Sequence, residues 1–96
     1  MGGLVRHIAL TGSDQAVSPR AAIYSGYTVV ETGGTDTATV RIYDNASAAT
    51  GTLIGAVNLA AGGSADLAVP AGQWCENGIY VDVAGDGAVA GSIRIG

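Results

Sequence analysis

At 96 residues the chain has room for one domain and one core. It contains no Lys, four Arg face eight acids, and 12% of residues are charged, against about 25% in an average soluble domain. Scattered cations and a net charge of −4 exclude phosphate neutralisation, so no nucleic acid is expected as partner. No apolar run approaches the roughly 18–20 residues that span a bilayer, so no membrane is expected either.

In chain order, Met1-Gly2-Gly3-Leu4-Val5-Arg6-His7 lacks the basic stretch and continuous apolar run of a secretory leader. Arg6 also stands where a myristoylation signal wants Ser or Thr. Leu4 to Leu10 alternates, with Leu4, Ile8 and Leu10 on one face and His7 on the other, and Thr11 to Asp14 breaks the run. Residues 1–20 are expected as an N-terminal strand or arm, and residues 21–96 as a β-sandwich, one domain overall. Ala21 to Thr32 is a long strand-like run, and Gly26 within it suggests a bulge or a close backbone approach. If that strand is regular, Tyr24 and Tyr27 lie on opposite faces, and at least one points away from the core; a bulge at Gly26 would change that. Gly33 to Asp36 reads as a turn.

Ala38, Val40 and Ile42 alternate with Thr37, Thr39, Arg41 and Tyr43 as a half-buried strand, and Asp44 to Gly51 is a loop. Leu53, Val57 and Leu59 line the next strand. Gly62-Gly63 predicts a hairpin connection into Ala65, Leu67 and Val69, and Pro70-Ala71-Gly72 is expected to end that strand. Ile79, Val81 and Val83 alternate with Tyr80 and Asp82; Gly85-Asp86-Gly87 turns the chain, and Val89, Ile93 and Ile95 close it. Seven to eight short strands, with turn signals every 8–12 residues or so, predict a small antiparallel all-β sandwich, jelly-roll-like. The short Ala46 to Ala49 stretch cannot nucleate a helix alone.

Twenty-two Val, Ile and Leu supply one thin core, because about a third of the chain is Ala and Gly. A domain this small buries only roughly 60–65% of its unfolded surface. Cys75 is alone, so no disulfide within the chain adds support. Association with further copies is the remaining route to stability, and the sparse charge suits a surface that meets neighbours.

No catalytic set emerges, and no enzyme is expected. One His and one Cys cannot build a zinc site without two carboxylates alongside. A Cys75–His7 nucleophile pair would need an electropositive setting, and Glu76 is the neighbour. Gly85-Asp86-Gly87-Ala88-Val89-Ala90 fits the dinucleotide fingerprint, but only six residues follow it, and no helix can receive the phosphates. No loop containing Asp36, Asp44, Asp82 or Asp86 has the acid density of a calcium loop. No cofactor or metal is expected. Among the aromatics, Trp74 at a strand end reads either as the cap on the sandwich or as an interface anchor.

Several segments together resemble a family of small virion proteins of tailed bacteriophages. They are Ala22-Ile23-Tyr24-Ser25-Gly26-Tyr27-Thr28-Val29-Val30-Glu31-Thr32, Ala38-Thr39-Val40-Arg41-Ile42-Tyr43-Asp44, and Thr50-Gly51-Thr52-Leu53-Ile54. Pro70-Ala71-Gly72, Asn77-Gly78-Ile79-Tyr80-Val81-Asp82-Val83 and the closing Gly91-Ser92-Ile93-Arg94-Ile95-Gly96 join them. These are turn-and-strand patterns; Trp74-Cys75-Glu76 has no counterpart. The resemblance implies a capsid decoration (cement) protein in the phage head, made in the bacterial host cytoplasm, that clamps neighbouring major capsid subunits. It implies self-association, with a homotrimer favoured at local three-fold positions, and an N-terminal arm that a neighbour could receive. The expected interface residues are Trp74, Tyr24, Tyr27, Leu4 and Val5. The alternatives are a tail- or fibre-associated module binding carbohydrate or protein through Trp74, Tyr24, Tyr43 and Tyr80, or a tail or connector component.

Overall fold

The computed structural model describes residues 5–96, and the expectation for Leu4 falls outside them. The described residues form eight strands: β1 (Arg6–Ala9), β2 (Gln15–Ser18), β3 (Ala22–Glu31), β4 (Ala38–Asp44), β5 (Thr52–Leu59), β6 (Ser64–Cys75), β7 (Ile79–Gly85) and β8 (Val89–Ile95). Two four-stranded sheets result, in the orders β1-β8-β3-β6 and β2-β7-β4-β5, and every pairing is antiparallel.

The order has a simple logic. β1 pairs with β8, β2 with β7, β3 with β6 and β4 with β5, so the chain runs as one long hairpin with its tip between β4 and β5. Pairing of β3 with β8 and of β4 with β7 wraps that hairpin into two sheets. This is the jelly-roll arrangement of an eight-stranded sandwich. Residues 5–20 contribute β1 and β2, one edge strand to each sheet; residues 21–96 contribute the other six.

Alternation explains the core. Ala38, Val40 and Ile42 of β4 face Ile79 and Val81 of β7 on the inner side, and Val29, Ile93 and Ile95 face them from the other sheet. The tip loop between β4 and β5 is held by Asn45. Its side-chain oxygen accepts the amides of Ser47 (2.9 Å) and Ala48 (3.0 Å), and its amide nitrogen donates to the Thr50 carbonyl at 3.1 Å.

Two expectations need correction, and a third turns on the bulge beside Gly26. Gly62-Gly63 does not join a hairpin, because β5 and β6 belong to different sheets and the connection crosses between them. The local turn exists, with the Gly63 amide donating to the Ala60 carbonyl at 2.8 Å, but it reverses the chain into the opposite layer. Pro70-Ala71-Gly72 does not end a strand either. Gln73 pairs with Tyr24 and Ala68 with Gly26, so residues 69–72 bulge out opposite Ser25 and β6 resumes to Cys75. Finally, Tyr24 and Tyr27 do not lie on opposite faces. Ser25 is also an extra residue against β8, where Tyr24 meets Ile95 and Gly26 meets Arg94. One inserted residue shifts the side-chain parity, and both tyrosines turn inward. Gly26 allows the bulge. Its φ is +122°, and a methyl group placed there would overlap the Leu67 carbonyl.

Glu31 is a buried carboxylate, 1% exposed, at the end of β3. Four backbone amides from three loops donate to it. Gly34 (2.7 Å) and Gly62 (2.8 Å) reach Oε1; Gly33 (2.8 Å) and Ala88 (3.0 Å) reach Oε2. One side chain thus ties together the β3–β4, β5–β6 and β7–β8 connections. The Gly62 and Gly34 amides lead in holding the carboxyl down to about 2, well below its ordinary 4.5, against the opposing effect of burial.

Candidate interface

Ile23 of β3 and Trp74 of β6 are directly paired, and both point away from the core, since their neighbours Ala22 and Cys75 are buried. Trp74 is 64% exposed, far more than an indole that caps a sandwich would be. Val5, 55% exposed, precedes β1 at the opposite edge of the same sheet and shares a concavity with Ile23. Next to this pair the bulge of β6 walls a shallow pocket of about 180 Å³, lined by Val5, Ile23, Ser25, Pro70-Ala71-Gly72 and Gly96. Two backbone bonds fix its floor: the Gly96 amide donates to the Ile23 carbonyl at 2.8 Å, and the Ile23 amide to the Gly96 carbonyl at 3.2 Å. Gly72 must be glycine here. Its φ is +71°, and a Cβ would run into the Ile23 side chain. The result is an apolar patch with an adjoining concavity on the outer face of the β1-β8-β3-β6 sheet.

Above this patch the same sheet face is polar and tied down. Arg94 lies across the space left open by Gly26. It donates to the Leu67 carbonyl (2.6 Å), the Tyr27 carbonyl (3.1 Å) and the Thr28 hydroxyl (2.9 Å), and pairs with Asp66 at 3.2 Å. Asp66 also accepts the Thr28 hydroxyl, and this bond, with Arg94 second, lowers its pKa. The cation is therefore spent on its own fold, and the exposed apolar side chains are what this face leaves uncovered.

Of the expected interface residues, Trp74 and Val5 are both exposed, at opposite edges of one sheet. Tyr24 and Tyr27 are corrected: both are core residues, placed there by the Ser25 bulge, and neither can touch a partner. Ile23 was missed. Its signal was its position, one residue before an inward tyrosine on an alternating strand. The aromatics proposed for a sugar-binding face do not converge. Trp74 sits on the outer face of one sheet, Tyr43 and Tyr80 are paired on the outer face of the other, and Tyr24 lies between the sheets.

The nucleophile pair does not assemble. Cys75 is fully buried, and burial first, then the charge of Asp44, pushes its thiol up to about 11. His7 pairs with Arg94 on the far side of β8, and its side chain is exposed. Among the described residues no three His, Cys, Asp or Glu lie together as metal ligands. Asp44 accepts the Asn77 amide at 2.9 Å and Asp14 the Val83 amide at 2.8 Å, so both brace loops. Asp82 faces Arg41 at 3.6 Å; its pKa is raised by burial and by the nearby Asp14. Gly85 ends β7, and Asp86 to Ala88 turn the chain into β8, a strand, with the Gly87 amide on the Thr37 carbonyl. No helix among the described residues is long and apolar enough to cross a membrane.

No protein-family model, no curated protein and no solved structure matches the chain.

Proposed function

We propose that the chain is a structural protein of a tailed-phage virion, a decoration or cement protein that associates with its own copies and clamps neighbouring major capsid subunits. The observation that carries this reading is the exposed Trp74, paired with Ile23, next to a preformed concavity that Ile23 and Val5 help to line. Large aromatics in such settings are the usual anchors of protein–protein contact. The family resemblance supplies the capsid as partner. A jelly roll suits a geometric role: it binds an expanded lattice, and stabilises it through many weak contacts at once.

The test is co-sedimentation with expanded and unexpanded heads of the source phage. The expected result is retention on expanded heads, with a blue shift of Trp74 fluorescence, and loss of retention in Trp74→Ser. Failure of the native chain to bind either form of head overturns the capsid assignment.

A further inference from the structure

The two sides of the sandwich are built differently. β1 and β2 are edge strands of four residues each, and their surroundings carry Arg6, Asp14 and Arg20. Short edges and charges are the ordinary devices that stop a sheet from adding strands. The other side has long edges and a single charge. There β5, eight residues long, ends one sheet and β6, twelve residues long, ends the other, and the two strands touch. Residues 45–65, which contain the whole of β5 and both its flanking loops, hold no charged side chain and no proline. It is the longest uncharged stretch of the chain. Leu53 on this edge is 49% exposed. The one charge of β6, Asp66, is already bound by Arg94 and Thr28.

We infer that β5 is the edge through which two copies of this chain pair, antiparallel and about a two-fold axis, joining their β2-β7-β4-β5 sheets into one eight-stranded sheet. The occupant follows from the charge distribution. Each copy carries −4, so two copies approach most easily where neither presents charge, and β5 is that place. An edge strand is also complementary to its own copy when run antiparallel, which closes at two. A bulge at Ile54 bends the start of the strand, leaving Gly55–Leu59 as its regular part, centred on Val57. Two-fold pairing there sets Ala56 opposite Asn58 of the partner subunit; both side chains are exposed in the single chain. This inference rests on the self-association in the proposed function, but replaces the three-fold arrangement with a two-fold one and uses the β5 edge of the other sheet, not Trp74.

The test is sedimentation velocity on the full chain and on Ala56→Lys/Asn58→Lys, with far-UV circular dichroism to confirm the fold. The native chain is expected to sediment as a dimer, and the double variant at the 9.4 kDa of one chain with an unchanged β spectrum. Hydrogen exchange provides a second readout that needs no variant: amides of Gly55–Leu59 should gain protection as concentration rises through the dimer transition. Trp74→Ser should leave the dimer intact while losing the heads, so loss of capsid binding and loss of pairing are read separately. A native monomer at high concentration, a trimer, or a dimer that survives both lysines overturns the inference.

Discussion

Replacing Glu31 by Gln keeps the shape of the side chain and removes its charge. An amide can accept two of the four incoming backbone N–H groups through its oxygen, but its own NH₂ must then face the other two, donor against donor. The carboxyl sits near 4.5 in the unfolded chain and at about 2 when folded. A depressed carboxyl stabilises the fold fully above the unfolded value and loses that contribution as pH falls through the folded one, so the window is pH 4.5 down to 2. About midway, near pH 3.3, the unfolded chain holds about 0.95 proton on this group and the folded chain about 0.05, a difference of about 0.9 proton on unfolding. Urea titrations followed by circular dichroism, repeated from pH 6 to pH 2, read this number from the slope of stability against pH. The native chain should lose stability more steeply than Glu31→Gln by about 0.9 proton between pH 4 and pH 2.5, and the two curves should converge as acid removes the difference. Asp66 and Asp82 titrate in both proteins and cancel. Hydrogen exchange at Gly33, Gly34, Gly62 and Ala88 should quicken together in the variant at pH 6. Parallel stability curves with unchanged exchange at those four amides would refute the claim that one carboxylate holds the three connections.

Tyr24 carries a buried hydroxyl with no hydrogen-bond partner, packed close to Gly55 and Ile42. Tyr24→Phe removes an unpaired polar group and should raise stability by about 1 kcal/mol, or roughly 4–8 °C in Tm for a domain of this size by calorimetry; a loss of that size would show that the hydroxyl is satisfied. Gly26→Ala places a methyl group against the Leu67 carbonyl at a φ of +122°. It should cost about 1–3 kcal/mol from the backbone conformation alone, with denaturant midpoints as the measure. Trp74→Ser should change stability by no more than about 0.5 kcal/mol, because the indole is mostly outside; a larger loss would make Trp74 part of the fold. With its thiol pushed up to about 11, Cys75 should resist a thiol reagent at pH 8 in the folded chain and react at once in urea.

Local chemistry was legible where it acts locally. Alternating Ala38, Val40 and Ile42 against Thr39 and Arg41 could only be a half-buried strand, and Gly26 marked the bulge of β3 because a residue without Cβ is out of place in a strand interior. Trp74 could be named as cap or anchor but not assigned between them, since that depends on which way β6 runs after its own bulge. The same limit misled the reading of Gly62-Gly63. Two glycines specify that the chain reverses; they do not specify whether the next strand joins the same sheet, and here β6 bonds to β3 instead of β5.

The sequence by itself determined the all-β character, the strand positions and the thinness of the core, because side-chain period and turn residues act over a few residues at a time. Only the tertiary structure decided that Tyr24 and Tyr27 both face inward and that Glu31 is a buried hub. It also set Ile23 beside Trp74, and left β5 as an open, uncharged edge. Each of these depends on strands far apart in the chain meeting in one register. A register moved by one residue sends every side chain of the strand to the other face.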